Sequence, residues 1–131
     1  MKHSEFEQIV EDFNFLDDWE DKYRYVIEEG KNMPALDDSL KVDSNKVNGC
    51  ASQVWLNFSI SDTLNFEGDS DAIIVKGLIA ILRKLYNDTP IDEIKNISAW
   101  ENLKRLGLDD HLSTQRSNGV KAMVERIKSF G

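Results

Sequence analysis

The most reactive side chain in this sequence occurs once: Cys50 is the single cysteine among 131 residues. It stands in Val47-Asn48-Gly49-Cys50-Ala51-Ser52-Gln53-Val54-Trp55-Leu56. Asn48-Gly49 is a dipeptide favoured in tight turns, because both residues tolerate positive φ. The apolar alternation that follows predicts a strand. The thiol therefore belongs to a loop between rigid neighbours, where reactive groups concentrate. From these residues alone two readings stay open: a small hydrophobe, inert in the core, or a loop thiol presented to another molecule. Only Lys46 lies close enough in sequence to lower the thiol pKa, so activation must come from the fold or from a partner.

A nucleophile–base pair would need a histidine, and the chain has His3 and His111. His3 falls in a frayed terminus. His111, in Asp109-Asp110-His111-Leu112, reads better as an exposed or capping residue than as a base for Cys50. Carboxylates are abundant, yet no pair stands at a spacing that suggests acid–base work. One cysteine excludes an internal disulfide and a multi-cysteine zinc site, and two histidines cannot make a histidine-rich metal centre. No Gly-rich phosphate loop is present. No metal or cofactor is expected.

Those limits set the task for the rest of the chain, which must position one thiol. Forty per cent hydrophobic residues with twelve aromatics supply a core for one domain over 1–131. The net charge of −8 argues against nucleic acid and against an anionic membrane surface. Ten carboxylates and three bases fall within the first 30 residues. These read as solvated faces of two amphipathic helices, with a docking patch for a basic partner as the alternative. The opening Met1-Lys2-His3-Ser4-Glu5 lacks the apolar run of a signal peptide, and the longest apolar stretch, Gly77 to Leu82, is too short to span a bilayer. The chain reads as cytoplasmic.

Ser4 and Glu7 predict a capping box, followed by the helical stripe Phe6, Ile9, Val10, Phe13. A second helix is expected from an Asp17 cap, with the stripe Trp19, Tyr23, Val26, Ile27 and an end marked by Gly30 and Pro34. Val54 to Ile60 and Leu64 to Phe66 predict a hairpin turning at Ser61-Asp62. Val42 to Val47 is a weaker third strand, joined through Asn48-Gly49. Gly68 to Asp71 is the next break, with Ser70 capping a helix over Ala72 to Asn87 that is apolar nearly all round. Thr89-Pro90 should open a short helix. Ser98 caps another that Gly107 stops, and a last helix near Thr114 to Phe130 buries Val120, Met123, Val124 and Ile127. The fold class is α+β: a small antiparallel sheet of about three strands packed against N-terminal and C-terminal helices.

The segment from Val47 to Leu56 resembles the signature of the SufE family of sulfur-acceptor proteins. Three further blocks resemble the family in order and spacing: Asp18-Trp19-Glu20-Asp21-Lys22-Tyr23 with Gly30-Lys31 and Pro34; Gly68-Asp69-Ser70-Asp71-Ala72 with Lys76-Gly77-Leu78-Ile79; and His111-Leu112-Ser113 with Arg116, Asn118-Gly119 and Ala122-Met123. The resemblance implies a persulfide carrier and activator of a pyridoxal-phosphate cysteine desulfurase of the SufS type, not an enzyme with a complete site of its own. Cys50 would take the outer sulfur of the desulfurase persulfide and pass it to an iron–sulfur scaffold complex. A lone cysteine suits that role, since a second thiol could form a disulfide and lose the sulfur.

The resemblance further implies that Asp71 holds or releases the cysteine loop and that Arg116 positions a loop or supplies positive charge near the thiolate. Gly49 and Ser52 would shape the loop, while Gln53, Trp55 and Gly77 are structural. Many relatives carry glutamine where this chain has Ala51. A labile persulfide implies an apolar shelter for the resting thiol, with Val54, Leu56 or Phe58 as candidate walls. A free-standing thiol enzyme would instead need a base near Cys50, and a pure binding module would leave Cys50 inert. The oligomeric state is open, a homodimer being one option.

Overall fold

The computed structural model describes residues 4–131; His3 and the Ser4 side chain of the expected capping box lie outside the described residues. Helix α1 runs Ser4–Asn14 and buries Phe6, Ile9 and Phe13, the stripe the sequence marks. Helix α2 runs Trp19–Asn32. Its cap is Asp18 and not Asp17: Asp18 is the extended residue, and its Oδ1 accepts the Asp21 N–H at 2.9 Å. Tyr25 donates its hydroxyl to Asp12 Oδ2, tying α2 to α1.

Strands β1 (Val54–Ile60) and β2 (Thr63–Ser70) form the expected hairpin, in register Val54↔Ser70, Phe58↔Phe66 and Ile60↔Leu64. The sheet has three strands, but the third is not Val42 to Val47. That stretch holds a short 3₁₀ turn at Asp43–Asn45, after another at Asp38–Leu40, and it meets the edge of β1 through a Lys46↔Trp55 bridge and a Val47 N–H bond to the Val54 carbonyl. Side chains that bond locally win there: Asp37 Oδ1 accepts the Ser39 N–H, and Asn45 Nδ2 donates to the Leu40 carbonyl. The third strand is the two-residue β3 (Thr89–Pro90), where a helix start is expected from the proline; it pairs Leu64↔Thr89. A 3₁₀ helix, Ile91–Asn96, follows it.

Gly68 also departs from expectation, lying within β2 and not at a break. A Cβ there would sit 2.8 Å from the Leu56 side chain and 2.9 Å from that of Ile79, so only glycine lets the sheet press against helix α3 (Ile73–Tyr86). Ser70 ends β2; its Oγ accepts the Ala72 N–H, and Ala72 occupies the cap position of α3 without a side-chain bond.

Helix α3 is the middle layer, with ten of its fourteen residues buried. Ile79 faces the sheet. Gly77, two residues earlier and so about 200° away around the helix, faces α2. A Cβ on Gly77 would run into the Val26 carbonyl, and one on Gly30 would lie 2.7 Å from the Gly77 nitrogen. Gly30 therefore sits inside α2 at a backbone-to-backbone crossing and does not end the helix. The chain closes with α4 (Ala99–Arg105), capped by Ser98 and stopped at Gly107 with φ 73°, and α5 (Thr114–Lys128), capped by Ser113. Phe130, just past α5, stacks near Phe58 at 4.5 Å and brings this end of the chain onto the sheet. The fold class is α+β, as the alternating periodicities predict.

Candidate functional site

Residues 48 to 53 form a loop tied at every end. At its base the Val47 N–H donates to the Val54 carbonyl at 2.9 Å. At its entrance Arg126 of α5 donates to the Lys46 carbonyl at 2.8 Å. At its exit the Gln53 N–H donates to Asp71 Oδ1 at 3.0 Å, and the Asp71 N–H returns a longer bond to the Gln53 carbonyl at 3.4 Å. Gly49 makes the turn with φ +94°, a conformation that disfavours any side chain.

Cys50 follows that turn and is half-buried. Its Sγ lies 3.7 Å from the Gly119 carbonyl on α5, its one hydrogen-bond partner among the described residues. The thiol opens into a cavity of about 330 Å³. Ala72, Val75 and Leu78 of α3 and its N-terminal approach form one apolar wall, and Val120 and Met123 of α5 another. Ala51 and Ser52 belong to the loop side; Ser113, Gln115 and Arg116 add polar groups. The expected walls Val54, Leu56 and Phe58 do not line it. Val54 and Leu56 are buried in the core, and Phe58 stacks with Phe66 and Phe130. The loop leaves β1 before those residues and folds toward α5, so the shelter is helical.

Burial pushes the Cys50 thiol pKa up, and no charge among the described residues pulls it down. The resting group is thus a neutral thiol. His111 does not reach it. That ring stacks on Trp19 at 3.5 Å between centroids, its Nδ1 lies 3.1 Å from the Gly107 carbonyl, and its own carbonyl accepts the Tyr23 hydroxyl at 2.6 Å. The histidine packs the α4–α5 connection against α2, the capping reading. Among the described residues, no histidine stands beside Cys50 as a base.

The structure brings Cys50, Ser52 and Arg116 to one cavity, with Gly49 and Asp71 holding the loop that carries the thiol. Arg116 makes no ion pair among the described residues; its N–H donates to Ser113 Oγ. Sequence reasoning missed the helical walls, above all Gly119, which touches the thiol from α5. The available signal was a glycine inside an amphipathic helix. No cluster of His, Cys, Asp and Glu able to hold a metal occurs among the described residues, and no helix there is long and apolar enough to cross a membrane.

Comparison with known proteins covers nearly the whole chain. Residues 7–130 match the family model described as SufE, Fe-S metabolism associated domain. An uncharacterized SufE-like protein of Rhizobium etli is 51% identical over 127 residues, covering 93% of this chain and 86% of that one. One from Rhizobium meliloti is 49% identical over 128 residues, covering 94% and 91%. The solution structure of a hypothetical protein from Thermus thermophilus superposes with a TM-score of 0.75 over 95% of this chain and 91% of that one; at 16% identity it shares the fold.

Proposed function

Since the chain belongs to the SufE family, whose domain is associated with Fe-S metabolism, we propose that Cys50 is a sulfur acceptor working with a cysteine desulfurase of the SufS type. The desulfurase holds the sulfur as a persulfide on its own cysteine. The Cys50 thiolate attacks the outer sulfur of that persulfide. A bond forms between Cys50 Sγ and the outer sulfur, the donor S–S bond breaks, and the donor cysteine leaves as a thiolate; no external oxidant or reductant is needed. The desulfurase, freed of sulfur, turns over again, so the carrier stimulates it. A scaffold thiol then repeats the exchange on the Cys50 persulfide.

The observation that carries the reading is the sheltered thiol: Cys50 sits beside apolar walls in a cavity with room for an added sulfur, and no group among the described residues activates it at rest. A persulfide exposed to water and reductants would lose its outer sulfur, and the cavity walls limit that access. Activation falls to the docked partner, which suits a carrier. Arg116, in the cavity wall, would favour the thiolate once the loop moves. Asp71 would hold the loop closed until docking, and Gly49 and Ser52 would give it its shape. A single free cysteine fits a reducing, cytoplasmic setting.

The test is desulfurase turnover. Alanine release by a SufS-type desulfurase on free cysteine is measured alone, with the native chain and with Cys50→Ser. The native chain is expected to raise the rate severalfold and Cys50→Ser to leave it at the basal value. Equal stimulation by both would overturn the acceptor role.

A further inference from the structure

Gly119 lies inside α5, buried, where alanine would stabilise the helix better. Other buried glycines have a packing reason: a Cβ on Gly30, Gly68 or Gly77 would strike backbone or core atoms at distances no real contact adopts. Gly119 has none. The three nearest heavy atoms to a Cβ there all belong to Cys50, at 3.4 Å for Sγ, 3.8 Å for Cβ and 3.9 Å for Cα, all ordinary contact distances. The resting fold would accept alanine. What the missing methyl leaves is empty space against the thiol, on the side where Sγ faces the Gly119 carbonyl.

We infer that Gly119 keeps that space for the outer sulfur of the Cys50 persulfide and so acts as a positioning residue for sulfur transfer, an inference that rests on the acceptor role proposed above. The outer sulfur is bonded about 2.05 Å from Sγ. Set at right angles to a methyl on residue 119, it would lie roughly 4 Å from it, at the edge of contact. Directions turned more than about 15° further toward α5 would bring the two closer than about 3.5 Å, into overlap. With the methyl present, the sulfur has to swing away from the α5 wall toward the open side of the cavity. Gly119 thus costs the helix stability in every state and is used only in the loaded one.

The test loads the chain without a desulfurase. The Cys50 thiolate attacks an S–S bond of inorganic polysulfide, forming the Cys50 persulfide and releasing a polysulfide one sulfur shorter, which supplies the oxidation level. Intact mass follows the added sulfur during incubation with dilute dithiothreitol. Gly119→Ala is expected to melt at the native temperature or about 2–4 °C above it and to react with iodoacetamide, as the free thiol, within twofold of the native rate. It should lose its added sulfur at least fivefold faster. A native half-life for the loaded variant overturns the inference and leaves the acceptor role standing. A native chain that alkylates at Cys50 yet takes no sulfur overturns both. Should Gly119→Ala not fold, the unaltered chain decides: the Gly119 amide resonance must shift on loading and return with reductant, and an unmoved resonance overturns the inference.

Discussion

Replacing Asp71 with alanine removes the side-chain acceptor that holds the exit of the cysteine loop, the 3.0 Å bond from the Gln53 N–H. The reverse bond, from the Asp71 N–H to the Gln53 carbonyl, is backbone and survives, as do the Val47–Val54 bond and the Arg126 contact with Lys46. The lost bond is exposed, so its net worth is about 1 kcal/mol, and the closed-loop equilibrium falls about fivefold. If the half-buried Cys50 reacts through an opened loop, its alkylation accelerates by the same factor. The assay is the pseudo-first-order rate of iodoacetamide addition at pH 7.5, followed by intact mass on folded protein. Asp71→Ala should react about fivefold faster than the native chain. Asp71→Asn keeps an oxygen acceptor at the same place and should stay within about twofold. An unchanged rate in folded Asp71→Ala would refute the idea that this carboxylate latches the loop. Equal acceleration by both variants would show that charge, not the acceptor, does the holding.

Three further outcomes follow from the same geometry. Burial raises the Cys50 pKa, so the stabilisation by the neutral thiol is complete below the unfolded-state value of about 8.5 and is lost as pH rises through the folded-state value. Urea unfolding of the native chain and of Cys50→Ser between pH 7 and 10 should show the native chain losing ground with pH; a relative gain would contradict the burial account. Gly77→Ala drives a methyl into the Val26 carbonyl at the α2–α3 crossing and should cost about 3 kcal/mol in urea unfolding, with a cost under about 1 kcal/mol refuting the close approach. Arg116→Ala should leave the melting temperature within about 2 °C while slowing sulfur uptake from the desulfurase severalfold; uptake at the native rate would remove Arg116 from the site.

The sequence and the fold agree where a pattern is long and local. The stripes of α1, α2 and α5, the alternation through Val54 to Ile60 and the all-round apolar helix at Ile73–Tyr86 each follow from periodicity. Disagreement begins where a few residues obey distant partners. Val42 to Val47 begins and ends on a β-branched valine, but Asp43-Ser44-Asn45 between them bonds to its own neighbourhood and folds into a 3₁₀ turn. Thr89-Pro90 has too few residues to show a strand pattern and pairs only because Leu64 lies beside it. Gly30 looks like a helix end from sequence because its reason for being glycine, the backbone of Gly77, is 47 residues away.

The site divides in the same way. Cys50, its turn and its loop are contiguous and legible, and Gly49 has the positive φ that the Asn-Gly pair suggests. The shelter is not legible, because its walls come from α3 and α5, and Val75, Gly119 and Met123 are side chains that any amphipathic helix could carry. The apolar face of β1 is the nearest hydrophobic surface in sequence, but its first two members, Val54 and Leu56, are committed to the core.

The most direct test of the account is whether Cys50 accepts sulfur. Intact-protein mass is measured after incubation with a SufS-type desulfurase and free cysteine, for the native chain and for Cys50→Ser. The native chain is predicted to gain the mass of one sulfur, removed by dithiothreitol, and Cys50→Ser to gain none. A native chain that gains no sulfur while the desulfurase turns over, or a Cys50→Ser chain that gains as much as the native one, would contradict the account.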